Sequence, residues 1–146
     1  MEILMTQAGA QTLGERLTAI KNITPVLFQK DGTLIREGSV VSADQISPKG
    51  AWLSLDVLMS RRVFDYVALL LNCPSMEWVQ STAAGFDHPL FSELAKKGIR
   101  LTNSDAQAVA ISEFVMGTVL AECQKLTARQ DMQNEKKWEA VPFREM

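Results

Sequence analysis

The sequence predicts an α/β fold in which helices cover a mainly parallel sheet. Short apolar runs typical of strands alternate along the chain with amphipathic helical segments, which is the pattern of stacked βα units. Of the 146 residues, 47% are hydrophobic and 22% are charged, the composition of an ordinary globular domain. A chain of this size can bury roughly 70% of its unfolded surface. One substantial core is therefore expected.

Five apolar runs are predicted to be strands. They are Ile3–Thr6, Val26–Gln29, Ala51–Leu55, Glu77–Thr82 and Ile99–Thr102. Between the second and third runs, Lys30–Lys49 is polar and irregular, and no element is predicted there. Five parallel strands joined by crossover helices predict a flavodoxin-like lobe, which we expect to span residues 1–105.

Helices are predicted between the strands. A weak helix is expected near Gln11–Lys21, and a short one over Pro89–Lys97, opened by Asp87 or His88 and closed by Gly98. The clearest helix lies between the third and fourth strands, where apolar residues recur with a 3.6-residue period. These residues are Met59, Val63, Tyr66, Val67 and Leu70.

A long helical segment follows the fifth strand, from Gln107 to about Ala128. Three side chains could cap its start: Asn103, Ser104 and Asp105. The segment is apolar nearly all round, so we expect it to be covered on more than one side. The polar tail 127–146 cannot provide that cover. A second subunit, or a domain following residue 146, is expected to do so.

Composition excludes several classes of function. With 15 basic and 17 acidic residues the net charge is −2, which disfavours nucleic acid as a partner. No apolar run approaches the ~20 residues that span a bilayer, and the N-terminus does not fit a secretory signal. Cys73 and Cys123 are expected to be reduced, buried thiols of a cytoplasmic protein, and with His88 as the only histidine no metal site is expected.

The most informative segment is Glu77–Pro89, in which a predicted strand runs into small residues and glycine. Such a segment lets backbone N–H groups face a ligand without side chains in the way, and concavities of this kind hold anions. The alternative is a tight βα turn that needs Gly85 for its backbone angles.

Three segments together resemble the D-isomer-specific 2-hydroxyacid dehydrogenases. They are WVQSTAAGFD at 78–87, GIRLTN at 98–103 and AQAVAISEF at 106–114, in the family's order and spacing. The resemblance covers roughly Gly50 to Trp138 and is clearest from Trp78 to Glu113. It implies hydride transfer between NAD or NADP and a small D-2-hydroxy acid or 2-oxo acid, as in glyoxylate and hydroxypyruvate reductases.

The resemblance also implies roles for particular residues. The backbone amides of Ala84 and Gly85 would receive the substrate carboxylate, and Ser54 and Leu55 would form a second wall of the pocket. At the start of the long helix, two residues would lie beside the nicotinamide. These are Ile111, as an apolar contact, and Glu113, as a polar support. Core packing of Ile111 and a solvated or capping role of Glu113 are the alternatives, and Ser112 stands where the family more often has Ala.

The family's glycine-rich G-x-G-x-x-G fingerprint is absent, and its catalytic Arg, acid and His cannot be placed. For His88 a structural or capping role is expected. The resemblance therefore implies a substrate-binding lobe (1–105) and an interdomain helix with tail (106–146), leading to an absent nucleotide-binding domain. The isolated chain is expected to be inactive, to contain no catalytic residue and to form a homodimer. A non-catalytic flavodoxin-like binding module or corepressor-type interaction module is the alternative.

Overall fold

A seven-stranded, mostly parallel sheet organises the fold. The structure is a computed structural model that describes residues 1–142 and 144. The strands are β1 (Glu2–Thr6), β2 (Thr24–Phe28), β3 (Leu34–Arg36), β4 (Ser39–Val41), β5 (Gly50–Leu53), β6 (Trp78–Ser81) and β7 (Arg100–Thr102). Their order is β4-β3-β2-β1-β5-β6-β7.

Five of these strands are parallel and correspond to the five that the sequence predicts. Leu4 of β1 pairs with both Val26 of β2 and Ala51 of β5, and Val79 of β6 pairs with both Ala51 and Leu101 of β7. The order β2-β1-β5-β6-β7 is that of a doubly wound, flavodoxin-like sheet. The predicted fold class is confirmed.

The other two strands were not predicted, and they form a hairpin on the segment that was expected to be irregular. β3 pairs antiparallel with β2 and with β4, so the hairpin extends the sheet beyond β2. Glu37 and Gly38 form its two-residue turn, with φ of 51° and 80°. Two positive φ values match the twist of a tight hairpin. Arg36 holds the hairpin in place through its Nη1, which lies 2.7 Å from Glu2 Oε1.

Seven α-helices accompany the sheet in the described residues. They are α1 (Gln7–Leu13), α2 (Glu15–Ala19), α3 (Leu55–Leu58), α4 (Val63–Asn72), α5 (Pro89–Lys96), α6 (Ala108–Cys123) and α7 (Leu126–Asn134). The helix predicted near Gln11–Lys21 is in fact two, because the chain turns at Gly14 with φ of 51°. α5 agrees with its prediction.

The predicted apolar stripe is only partly buried. Tyr66, Val67 and Leu70 of α4 lie in the core, but Met59 is 81% exposed. The reason is a break between α3 and α4, which ends the helical period at Met59 and starts a new one at Val63. The Tyr66 hydroxyl is shared between the carbonyl oxygens of Leu4 (3.0 Å) and Trp52 (2.9 Å).

The chain separates into two compact units, Met1–Ser104 and Asp105–Met146. The second contains α6 and α7, so the single helix predicted over Gln107–Ala128 is wrong. Lys125 interrupts it with a left-handed φ of 53°. None of the residues of α6 is buried. Its exposed large apolar residues are Val109, Ile111, Phe114, Val115, Met116, Val119 and Leu120.

Cys73 and Cys123 are free thiols and are only partly buried, which corrects the expectation that both are buried. Among the described residues, no helix is both long and apolar enough to cross a membrane. Nor do these residues include a group of three His, Cys, Asp or Glu side chains that could hold a metal ion.

Candidate functional site

Buried hydroxyl groups lie at the carboxyl ends of three neighbouring parallel strands. Thr6, Ser54 and Ser81, at or just after the ends of β1, β5 and β6, are each at most 5% exposed. The Thr6 Oγ1 accepts the Gly9 N–H at 2.9 Å and lies 3.3 Å from Ser54 Oγ. The Ser81 Oγ accepts the Ala83 N–H at 3.0 Å. The hydroxyls of Thr6 and Ser81 thus satisfy backbone N–H groups just after their strands, whereas the Ser54 hydroxyl bonds side chains.

Ser54 and Leu55, predicted as the end of a strand, instead form the junction between β5 and α3. Ser54 is the N-cap residue, with φ of −76° and ψ of 163°, and its Oγ donates to Asp56 Oδ1 at 2.6 Å. Leu55 opens the helix and is 60% exposed. The Ser54 hydroxyl is thus engaged within the protein, whereas the Leu55 side chain is available to a ligand.

The segments after β5 and β6 are tied together directly. The Thr82 N–H and Oγ1 both donate to the Leu53 carbonyl oxygen, at 3.1 and 3.2 Å. Because Leu53 also pairs with Ser81 across the two strands, the segments carrying Leu55 and Ala84 leave the sheet as neighbours. The structure therefore brings the predicted substrate-binding residues to one edge of the sheet.

Ala84 and Gly85 lie in the exposed loop between β6 and α5. Within the described part of the chain, no hydrogen bond engages the backbone N–H of either residue. Two successive N–H groups without internal partners can donate to one oxyanion, such as a carboxylate. The loop thus has two N–H donors of the kind that a carboxylate site requires.

Gly85 does not need glycine for its backbone angles, because its φ lies outside the left-handed region. The alternative explanation of Gly85 as a turn glycine is therefore wrong. What a side chain would meet is Asp87, whose Oδ2 lies 3.0 Å from the position of an added Cβ. Glycine here keeps the loop clear, and it leaves a carboxylate close to the exposed amides.

Asn103, expected to cap the long helix, instead holds this loop. Its Nδ2 donates to the carbonyl oxygen of Ala84. The N-cap position of α6 is occupied by Gln107, which makes no side-chain cap hydrogen bond. Because parallel strands end at the same edge, a residue directly after β7 lies beside the loop after β6. That strand order was the signal that could have identified Asn103.

A chain of side-chain hydrogen bonds connects β6 and β7 just before this point. Trp78 Nε1 donates to Thr102 Oγ1 at 2.7 Å, and Thr102 Oγ1 donates to Gln80 Oε1 at 2.7 Å. The hydroxyl of Thr102 both accepts and donates, so its orientation is defined. This chain positions the end of β7, and with it the side chain of Asn103.

The far end of the loop is fixed at α5. Phe86 packs edge-on against the buried Phe91, with ring centroids 5.0 Å apart. His88 is the N-cap residue of α5, and its Nδ1 accepts the Leu90 N–H at 3.2 Å. The predicted capping role of His88 is confirmed. The exposed amides therefore lie in a loop that is anchored on both sides.

Ile111 and Glu113, the predicted cofactor contacts, lie on α6 in the second unit. Ile111 is 57% exposed, so it is not a core residue of this chain. Glu113 is exposed, and no ion pair to it occurs among the described residues. Both side chains are free to contact another protein surface or a ligand.

Burial raises the pKa of the Tyr66 hydroxyl, and the negative charge of Asp56 adds to this effect. Tyr66 therefore stays neutral and serves as a hydrogen-bond donor between β1 and β5. It therefore contributes no proton chemistry to the candidate site.

The strand order and the open loop define a flavodoxin-like α/β domain with donor groups at its carboxyl edge. Comparison with known proteins finds the same fold in solved structures. The chain resembles a D-lactate dehydrogenase from Aquifex aeolicus, solved with NAD and lactic acid, at 16% identity and a TM-score of 0.52. It also resembles a D-lactate dehydrogenase from Treponema pallidum, at 15% identity and a TM-score of 0.54.

These similarities cover 96% and 97% of this chain but only 39% and 41% of the two dehydrogenases. The chain thus spans about two fifths of the length of each. No family model and no curated protein matches the sequence. At such low identity the likeness shows a shared fold, and function must be argued from the site.

Proposed function

We propose that the chain is the substrate-binding lobe of an NAD- or NADP-dependent oxidoreductase that interconverts a small D-2-hydroxy acid and its 2-oxo acid, such as glyoxylate or hydroxypyruvate. The main support for this proposal is the pair of backbone N–H groups at Ala84 and Gly85, which make no hydrogen bond within the described residues. They sit on the loop that Asn103 holds, in a fold shared with D-lactate dehydrogenases.

In this proposal the lobe binds and orients the substrate. The amides of Ala84 and Gly85 donate to its carboxylate, and the exposed side chain of Leu55 lines the pocket next to them. Ser54, whose hydroxyl is engaged by Asp56 and Thr6, supports the wall from inside. We expect no catalytic residue for the proton transfer in this chain, so the proposed role of the lobe is to position the substrate.

The nicotinamide cofactor does not fit the residues present. The sequence contains no glycine-rich loop of the G-x-G-x-x-G type to hold a pyrophosphate. We therefore assign NAD or NADP mainly to a further domain, with Ile111 and Glu113 as flanking contacts, and derive no hydride step from this chain. Residues 1–105 form the lobe and 106–146 the interdomain helix and tail. The chain alone is expected to be inactive, cytoplasmic and homodimeric.

Titration of the isotopically labelled 146-residue chain with pyruvate or glyoxylate tests the proposal, observed through backbone amide NMR signals. The largest shifts are expected at Ala84 and Gly85, and pyruvamide, which lacks the carboxylate, should cause none of comparable size. Shifts confined to other loops would remove this loop from the site. An NADH oxidation assay on the same chain should show no turnover. Saturable turnover would mean that this chain itself binds the cofactor, contrary to the proposal.

The second candidate is a non-catalytic flavodoxin-like binding module or corepressor-type interaction module. The apolar helix α6, which has no buried residue, favours it, because such a surface suits a protein partner as well as a second subunit. This alternative would be supported if the chain self-associates through α6 and the NMR signals of the Ala84 and Gly85 amides do not shift when 2-oxo acids are added.

A further inference from the structure

A second crevice lies at the carboxyl edge of the sheet, two strands away from the Ala84 loop. It has a volume of about 1050 Å³ and opens over the ends of β1 and β2. Gln7 and Gln11 of α1 line one side, and Asp56 and Ser60, which follow β5, line the other. This volume is slightly above the range typical of small-molecule sites, roughly 300–1,000 Å³.

The crevice lies beside β1, where the strand order reverses. From β1 the chain passes through α1 and α2 to β2 on one side, whereas β5 pairs with the other side of β1. The connections on the two sides of β1 therefore diverge and leave a gap at the strand ends. In open parallel sheets, ligands bind at such switch points. The position of this crevice is therefore typical of a ligand site in an open parallel sheet.

Two cations in the crevice have no internal partner. Lys30 and Arg61 line it, and neither makes an ion pair or side-chain hydrogen bond within the described residues. Arg62, the third cation there, is different, because its Nη1 lies 2.8 Å from Asp65 Oδ2. Lys30 and Arg61 are therefore available to an anion. A guanidinium offers a bidentate fork to phosphate oxygens, and an ammonium adds a point charge.

Two carboxylates in the crevice retain free acceptor capacity. Asp31 Oδ1 accepts the Thr33 N–H at 2.9 Å, and Asp56 Oδ1 accepts the Ser54 hydroxyl, so each keeps a second oxygen. The hydrogen bond from Thr33 lowers the pKa of Asp31, which keeps it charged at neutral pH. Carboxylates cannot bind an anion, but they accept hydrogen bonds from hydroxyl groups.

We propose that this crevice binds a small phosphorylated polyhydroxy compound of the sugar phosphate type. Lys30 and Arg61 bind the phosphate group. Asp31 and Asp56 accept hydrogen bonds from the hydroxyl groups, beside the linked amides of Gln7 and Gln29, which lie 3.0 Å apart. The volume exceeds what inorganic phosphate alone would fill. This proposal does not rest on the function proposed for the Ala84 loop, although Asp56 also accepts a hydrogen bond from Ser54 of that pocket.

The test is calorimetric titration of the 146-residue chain with three probes: ribose 5-phosphate, inorganic phosphate and ribose. Ribose 5-phosphate is expected to bind at millimolar or lower concentration, about tenfold more tightly than inorganic phosphate, since two or more hydroxyl hydrogen bonds are added. Ribose alone should bind more weakly than either. Equal binding of ribose 5-phosphate and inorganic phosphate, or no binding of ribose 5-phosphate, would overturn the proposal.

Variants separate the two halves of the site. Lys30→Gln and Arg61→Gln should each weaken both phosphate probes by about tenfold. Asp56→Asn should weaken ribose 5-phosphate while leaving inorganic phosphate unchanged or bound more tightly. Arg16→Gln, which removes an exposed cation outside the crevice, is the matched control and should change nothing. If Lys30→Gln and Arg61→Gln bind like the parent chain while melting normally, the crevice is not the site.

Discussion

Helices α4 and α6 are both rich in large apolar residues, but they differ in how much of them is buried. α4 buries Tyr66, Val67 and Leu70 in the lobe, and its exposed residues are Phe64, Asp65, Ala68 and Asn72. α6 is apolar on every side and buries nothing. The comparison teaches that apolar content alone does not predict burial within one chain. A helix that is apolar on one face can bury that face in the core of its own chain. A helix that is apolar all round needs a further protein surface to cover it.

The largest expected effect comes from truncating one leucine in each helix. Leu70→Ala removes a fully buried side chain and should lower the free energy of unfolding by about 2–5 kcal/mol. Leu120→Ala, at a position that is 44% exposed, is the matched control and should lower it by well under half as much. Chemical denaturation of both variants measures this, and equal losses would mean that α6 belongs to the same core.

Self-association through α6 is the next effect. Phe114→Lys places a charge on an apolar surface that is 75% exposed in the single chain, so it should weaken the expected homodimer by about tenfold or more. The thermal stability of the lobe should stay nearly constant, because Phe114 makes no contribution to its core. Sedimentation over a range of concentrations checks this. A compact parent monomer that binds no hydrophobic dye would contradict the idea.

Gly85→Val tests the loop rather than the core. The valine Cβ would approach the Asp87 carboxylate and crowd the amides, so the affinity for 2-oxo acids should fall by roughly ten- to a hundredfold, the value of one or two charge-assisted hydrogen bonds. In a chain joined to a nucleotide-binding domain, kcat/KM should fall likewise while NADH affinity holds. A folded variant with unchanged KM and kcat would exclude this loop from the active site.

Asn103→Ala tests whether binding requires the hydrogen bond from Asn103 to the Ala84 loop. Without the hydrogen bond to Ala84, the exposed amides become less ordered, and affinity for 2-oxo acids should fall by about tenfold. Faster hydrogen exchange at Ala84 and Gly85 should accompany this loss. The exposed Asn134→Ala provides the matched control. Weaker binding without any change in exchange would argue against a positioning role.

The smallest expected effect is an improvement. Asp87 places a carboxylate beside Gly85, where it would repel a carboxylate bound as we propose. Asp87→Asn removes that charge and should tighten binding of pyruvate by a few-fold, on the scale of an exposed charge pair. The gain should shrink at high salt, since exposed charges are screened. Affinity that is unchanged at low salt would show that Asp87 does not act on the bound anion.

Local patterns in the sequence determined much of the lobe. The five parallel strands follow from apolar runs, and α5 follows from the succession of His88, Pro89 and Gly98, because caps and breakers act over a few residues. The small residues around Gly85 marked the loop, although clearance and not backbone angle explains the glycine. In each case the information lies within one segment.

Only the tertiary structure decided which segments meet. The β3–β4 hairpin depends on pairing with β2 and on an ion pair between Arg36 and Glu2, residues far apart in sequence. Asn103 holds Ala84 because β7 lies beside β6, a fact of strand order that no local pattern contains. The crevice at Lys30 and Arg61 exists because connections diverge on either side of β1. Strand neighbours are chosen by the burial of the whole sheet, so contacts between strand ends become visible only once it is assembled.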